Sequence, residues 1–384
     1  MVSFALSGCY QSHVRLDLDG AVLDARARDA EIDDAPRVDA PEVDGGPIVC
    51  NALRATQTVS LDEGVTPRIV ALPGGHIGVV YVRTERDGVG VIYERLDATL
   101  TRLTGPVRVA SDGFSWAEIV VQGGELLIAY GLAGSAQTVL LHLSFDGVQT
   151  SERALVPLLH PSILESNGAE LFWAAFDMRT ENTFVLSHVT PTGMLTGATV
   201  TIPFGRYGSG HHALARSDGS HILGYSREGP PGARHGYVNR FSADGTLGPE
   251  RQLDPMDPDQ AVIPLALAGE LVIVRETDAL EIERTNGETL ERIDHASFPP
   301  LVTSPIAGVI ADRLVVAHLD SGVFRWDLFD AALAHFERDE VRTMHPGIGS
   351  GTSVAEHPDA LTFAAGLTNG STASPWLVRL ECAR

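Results

Sequence analysis

Three cysteines carry the most specific chemistry in this chain of 384 residues. Cys9 follows Leu6-Ser7-Gly8 near the start, Cys50 opens the run "CNALRATQTVSL", and Cys382 closes "WLVRLEC" close to the end. A thiol can be acylated, bridged, bound to metal or used as a nucleophile, and the surroundings decide among these. No G-x-S-x-G elbow accompanies the 14 histidines, so neither serine nor cysteine is set up for acyl transfer. His211 and His212 are adjacent, and neighbouring residues on a strand point to opposite faces, so one metal cannot take both. Asp17-Leu18-Asp19-Gly20 lacks the later ligands of a calcium loop. No metal or cofactor is expected.

All 28 basic residues are arginine, which excludes a lysine Schiff base and a P-loop lysine. The formal charge of −22 repels phosphate backbones, so nucleic acid is not an expected partner. The longest apolar runs, such as "LVVAHL", are far shorter than the roughly 18 residues of a membrane-spanning helix.

The elements that must position these groups show as a repeat. The runs "IGVVYV", "LLIAY", "LFWAAF", "ILGYS", "LVIVRE", "LVVAHL" and "LTFAAG" begin at Ile77, Leu126, Leu171, Ile222, Leu271, Leu314 and Leu361, at intervals of 49, 45, 51, 49, 43 and 47. Turn residues precede most of them, as in Gly74-Gly75, Gly123-Gly124 and Asp218-Gly219, and a second strand and another turn follow. Each unit reads as four short antiparallel strands, which is the blade of a β-propeller. The chain resembles that superfamily over about 330 residues in architecture rather than in motif. Trp326-Asp327 is its one WD dipeptide, and kelch spacing is absent. The expected fold is all-β: a seven-bladed propeller of four-stranded blades, with a six- or eight-bladed ring as the alternative.

The seventh unit stops after "WLVRLEC" without an outer strand, and "CNALRATQTVSL" (Cys50 to Leu61) can supply it. Antiparallel pairing of the two then brings Cys50 against Cys382. The expected disulfide closes the ring and implies an oxidising compartment.

Leu6-Ser7-Gly8-Cys9 resembles the lipobox of bacterial lipoproteins, although a basic n-region is missing and the apolar stretch is short. The resemblance implies lipidation at Cys9, and Tyr10 in place of Asp after it implies the outer membrane. Residues 11–48 hold eight Asp, two Glu and four Arg, a net of −6, with no aromatic residue, so they cannot bury enough surface to offset ordering. The expected organisation is a signal remnant and lipidation site over 1–9, a disordered acidic tether over 10–48 and a propeller over 49–384.

Function in such a ring concentrates on the loops at one mouth. Arg83, Arg86, Trp116, Arg179, Arg206, Tyr207, His211, His212, Arg227, Arg234 and His235 fall there, types that recognise peptides and sugars by stacking and forked hydrogen bonds. "DPMDPD" (254–259) is an ordinary solvated connector by composition. The expected function is a monomeric, extracytoplasmic, lipid-anchored binding or scaffold module for a protein, peptide or glycan, touching membrane only through its anchor. The alternative is a hydrolase or lyase at the same mouth, with catalytic residues unassigned.

Overall fold

The computed structural model describes residues 50–383 except 86–87, 133–136, 159–160, 167–169, 178–182, 204–208, 229–233, 257–260, 300–304, 321, 344–346 and 370–371, together with the backbone of Gln11–His13. Seven antiparallel sheets follow one another along the chain. Blade one is Val65–Leu72, His76–Glu85, Gly88–Leu96 and Arg102–Ala110. Blade two is Gly113–Gln122, Glu125–Leu132, Thr138–Leu143 and Ala154–Val156. Blade three is Ile163–Ser166, Leu171–Asp177, Thr183–Val189 and Val200–Pro203. Blade four is Ser209–Ala215, His221–Glu228, Arg234–Phe241 and Arg251–Met256, and the short Gln11–His13 runs parallel to its first strand. Blade five is Val262–Leu267, Glu270–Glu276, Leu280–Thr285 and Arg292–Phe298. Blade six is Ile306–Ile310, Arg313–Asp320, Val323–Phe329 and His335–Arg342. Blade seven is Gly347–His357, Ala360–Asn369 and Thr372–Cys382, completed by Leu53–Ser60 from the other end of the chain.

The ring is closed. First strands of successive blades adjoin one another all the way round, from blade seven back to blade one. Strand side chains alternate between two faces, and each blade uses both, one against each neighbour. Seven apolar clusters result, one per seam. The seam of blades seven and one, with Ala355, Ala364 and Leu377 against Ile69, Ile77, Val79 and Tyr81, is as dry as the rest. A seven-membered ring is thereby fixed, and the six- and eight-bladed alternatives are excluded.

The expected bridge is present: Cys50 and Cys382 are disulfide-bonded with Cα atoms 5.1 Å apart, and Leu53 stands opposite Cys382 in the ladder. Arg313 Nε donates to the Cys50 carbonyl at 3.0 Å, and the Leu53 amide donates to Glu337 at 2.7 Å, so blade six also holds the closing strand.

Tight turns lie on one face of the ring. Ala268-Gly269 and Ala311-Asp312 both take positive φ at their two central positions, the geometry a two-residue hairpin requires. In the hairpins to the outer strands, Gly147, Gly193 and Gly245 supply the left-handed residue, whereas Leu100, Leu290 and Leu333 take its place in other blades. Left-handed geometry costs a leucine about 1–2 kcal/mol. Burying each of these side chains to 4% exposure or less offsets that.

Where blades four and five meet, a Cβ on Gly224 would lie 2.3 Å from the Val262 carbonyl oxygen. Gly224→Ala is expected to lower stability by about 1–3 kcal/mol through forced separation of the two sheets. Urea unfolding measures this, and an unchanged midpoint would show that the seam can yield.

A polar latch crosses four consecutive seams at one matching place in the third strand, fixed by the pairs Arg95↔Gly78, His142↔Leu127, His188↔Phe172 and Arg240↔Ile222. Each of these residues is held by its own blade's hairpin and reaches the outer hairpin of the next blade. Arg95 contacts His76 at 2.7 Å and Asp146 at 2.7 Å. His142 contacts Glu125 at 3.2 Å and the Pro191 carbonyl at 2.8 Å. Arg240 donates to Ser220 at 3.2 Å and bonds Glu288.

Candidate functional site

The residues proposed from sequence part company in the fold. Arg86, Arg179, Arg206 and Tyr207 lie outside the described residues, and only the backbone of His211 and Arg234 is described. Arg83 is half-buried on the second strand of blade one, and Trp116 is half-buried on the first strand of blade two. His212 is buried on the first strand of blade four. Arg227 and His235 are brought together, directly opposite each other in blade four.

Around that pair the blade assembles a connected polar surface. The Arg227 guanidinium lies 4.3 Å over the Tyr237 ring, donates to the Pro203 carbonyl at 3.3 Å, and is paired with Glu250. Stacking of this kind is worth roughly 0.5–1 kcal/mol at a partly exposed place. Tyr225 OH lies 2.5 Å from Glu250 and 2.6 Å from Asn239 Oδ1. A phenol has one proton, and Glu250 and Asn239 Oδ1 are both placed to accept it. Burial, reinforced by the bond to Glu250, pushes the Tyr225 hydroxyl far above its usual range, and it stays protonated. His235 Nδ1 accepts from Gln252 at 3.0 Å, which leaves the ring's proton on Nε2.

Glu250 and Gln252 continue into a cleft of about 490 Å³ between the outer edges of blades four and five, lined also by Arg251, Leu253, Glu283, Thr289, Glu291 and Arg292. The floor is fixed. Glu283 is buried between Arg251 at 2.6 Å and Arg275 at 3.2 Å, and Arg251 also donates to the Leu290 carbonyl at 2.8 Å. The rim carries Arg292 and Glu291, both exposed. Leu253 is the one apolar lining residue, so the cleft suits a polar ligand that both donates and accepts. Among the described residues no group of three or more His, Cys, Asp or Glu could hold a metal ion, and no helix is long and apolar enough to cross a membrane.

Sequence reasoning missed Tyr225, Tyr237, Asn239, Glu250 and Glu283, because it looked to loops and these lie in or beside strands. A signal existed: "GYS" and "GYVN" place tyrosines on two strands that a hairpin must pair. A second polar cluster also escaped, on the first strands. Arg68 Nε donates to Glu118 at 2.8 Å, with both side chains buried, and among the described residues the second Glu118 oxygen has no hydrogen-bond partner. Desolvation, only partly countered by Arg68, raises the Glu118 carboxyl to about 7.

No protein-family model matches this chain, and no curated protein matches it in sequence. Solved structures do match in shape. A protein of unknown function from Dyadobacter fermentans DSM 18053 superposes with a TM-score of 0.50 at 12% identity, over 86% of this chain and 99% of that one. A prolyl endopeptidase superposes with a TM-score of 0.50 at 16% identity over 82% of this chain, which spans only 47% of that one. Trypanosoma rangeli sialidase gives a TM-score of 0.42 at 12% identity, over 85% of this chain and 58% of that one. At such identities the likeness is one of fold, not of activity.

Proposed function

We propose that this chain is a recognition module: a propeller held at the outer membrane of a bacterium by lipid on Cys9, through the acidic segment 10–48, that binds a protein, peptide or glycan. The observation that supports it is the braced surface of blade four. Arg227 on Tyr237, His235 on Gln252 and the cleft beginning at Glu250 offer donors, acceptors and a cationic edge already fixed before a ligand arrives. Groups ordered in advance lose little entropy on binding, and this is how a modest polar surface reaches useful affinity. Glu250 and Glu283 line the same cleft, and they are the carboxylates a hydrolase or lyase would use there.

The test uses the full chain on immobilised peptides and cell-envelope glycans, read beside Gln252→Ala and Arg292→Ala. A ligand captured by the natural chain, and weakened about tenfold or more by either substitution with unchanged melting temperature, is the expected outcome. Turnover of the captured ligand would favour the enzymatic reading. Binding indifferent to both substitutions would move the site elsewhere. Incorporation of labelled fatty acid, abolished by Cys9→Ala, is the corresponding test of the anchor.

A further inference from the structure

His221 occupies a place that belongs to aliphatic side chains. The ladder pairs Ile77↔Leu96, Leu126↔Leu143, Leu171↔Val189, His221↔Phe241, Leu271↔Thr285, Leu314↔Phe329 and Leu361↔Leu380 mark one matching position at the start of each second strand. Six blades put Ile or Leu there, and blade four puts an imidazole. The sequence repeat alone begins this run one residue later, at Ile222, because a histidine does not count as apolar. The ring is fully buried, stacks on Phe172 of blade three at 4.3 Å, and among the described residues has no hydrogen-bond partner for either nitrogen.

A second histidine faces it across the seam. His188 is the latch residue of blade three, 5.9 Å from His221 between ring centres and packed edge-on against Phe241 at 5.0 Å. Its Nδ1 is 3.6 Å from Glu170, and the ring approaches the backbone of Ala243, but Nε2 closes no hydrogen bond of good geometry. His142, its counterpart one seam back, has acceptors at both nitrogens, so an imidazolium there would donate to both. At the outer two of these seams the latch is an arginine, Arg95 or Arg240, and not an imidazole. Of these four seams, only that between blades three and four is held by a histidine with a ring nitrogen left unbonded.

We propose that this seam is an acid-operated opening: protonation of His221 and His188 parts blades three and four while the other seams, and the disulfide of blade seven, keep the ring together. A charged imidazole at His221 would have no acceptor and would sit beside a second cation. The acids nearby serve His188 more than His221. Glu170 borders His188, and Asp244 acts on it from a fully exposed turn. Asp218, the one carboxylate acting on His221, is held by Ser220 and Arg240, with Arg216 adding a further positive charge. Burial, aided by His188, lowers the His221 pKa to about 3, and burial lowers that of His188 also. Both histidines therefore leave stability intact above the unfolded value of 6.5 and remove it as pH falls below that. For His221 the folding equilibrium weakens about tenfold per pH unit, or about a hundredfold by pH 4.5.

Hydrogen exchange of the full, oxidised chain between pH 7 and 4.5, corrected for intrinsic rates, tests the proposal. Strands Leu171–Asp177, Thr183–Val189, His221–Glu228 and Arg234–Phe241 are expected to lose protection at least tenfold more than the strands of blade two; blades six and seven are no reference, because buried His318 and His357 also lose stability in acid. His221→Leu, which restores the residue type of the other blades, should abolish that local loss. Uniform loss round the ring in the natural chain overturns the proposal, independently of whether any variant folds. So does an undiminished local loss in a folded His221→Leu protein.

Discussion

Cys382→Ser is expected to destabilise the ring more than any other single change at its surface. The bridge spans 332 residues, and in the chain-entropy account a loop of that size withdraws about 6 kcal/mol of freedom from the unfolded state, an upper figure. Nothing else covalent ties the closing strand Leu53–Ser60 to its blade. Ladder bonds to Thr372–Cys382 and the apolar seams remain, so the variant should still fold to the same ring. Cys382 is the better position to change because Cys50 is fully buried, where a serine hydroxyl would add a desolvation cost of its own. Guanidinium unfolding of the natural chain with and without reductant, beside Cys382→Ser, provides the measurement. Reductant and substitution should shift the midpoint down by the same amount, with a steeper denaturant dependence for the longer free chain. Equal midpoints in all three would mean that the strand ladder alone closes the propeller.

Arg68→Ala is expected to cost about 3–5 kcal/mol at pH 8, because it takes from buried Glu118 the guanidinium that favours its ionised form, so the carboxyl must either bind a proton or stay charged in a dry setting. The cost should shrink in acid. Glu118 titrates near 7 in the fold against about 4.5 unfolded, so its stabilising contribution is present below 4.5 and is lost as pH rises through 7. In the natural chain this amounts to about 3 kcal/mol over that interval. The matching position in blades three, five and six is Ile163, Ile263 and Ile306. Arg68→Ile with Glu118→Ile should therefore be neutral or stabilising, since it removes both desolvated charges at once. Thermal unfolding of the single and double variants at pH 5 and 8 decides. A double variant as weak as Arg68→Ala would mean that packing around Arg68, not charge, holds those strands. Glu118 and the two seam histidines pull stability in opposite directions as pH falls, which is why His221→Leu is needed to separate them.

How much of this could be read in the residues depends on the range of the interaction concerned. "IGVVYV" and its six successors show their strands through apolar runs, and Gly123-Gly124 or Asp218-Gly219 show their turns through backbone freedom, all within a few residues. A short last unit and an orphan strand at the other end then force closure, because an open ring would leave an apolar face in water. The Cys50–Cys382 pairing follows from that closure alone.

The candidate site was only half legible. Arg227 and His235 read as loop residues in the sequence, and the hairpin does bring them together, but Gln252 joins them from the outer strand, Glu250 from just before it and Glu283 from the next blade. His221 was passed over because its place in the repeat is set by ladder register and not by its own polarity.

The sequence by itself determined the all-β class, the repeat of blade-sized units, the strand that completes the last one and the disulfide, since each follows from local periodicity and the requirement that no sheet face stay wet; the closed structure settled the ring at seven blades against six or eight. Only the tertiary structure decided which charged and aromatic side chains meet. Those contacts join residues about one blade apart in sequence across seams whose spacing and register belong to the closed ring as a whole. Arg68 finds Glu118, and His188 finds His221, through a geometry that no segment of the chain carries alone.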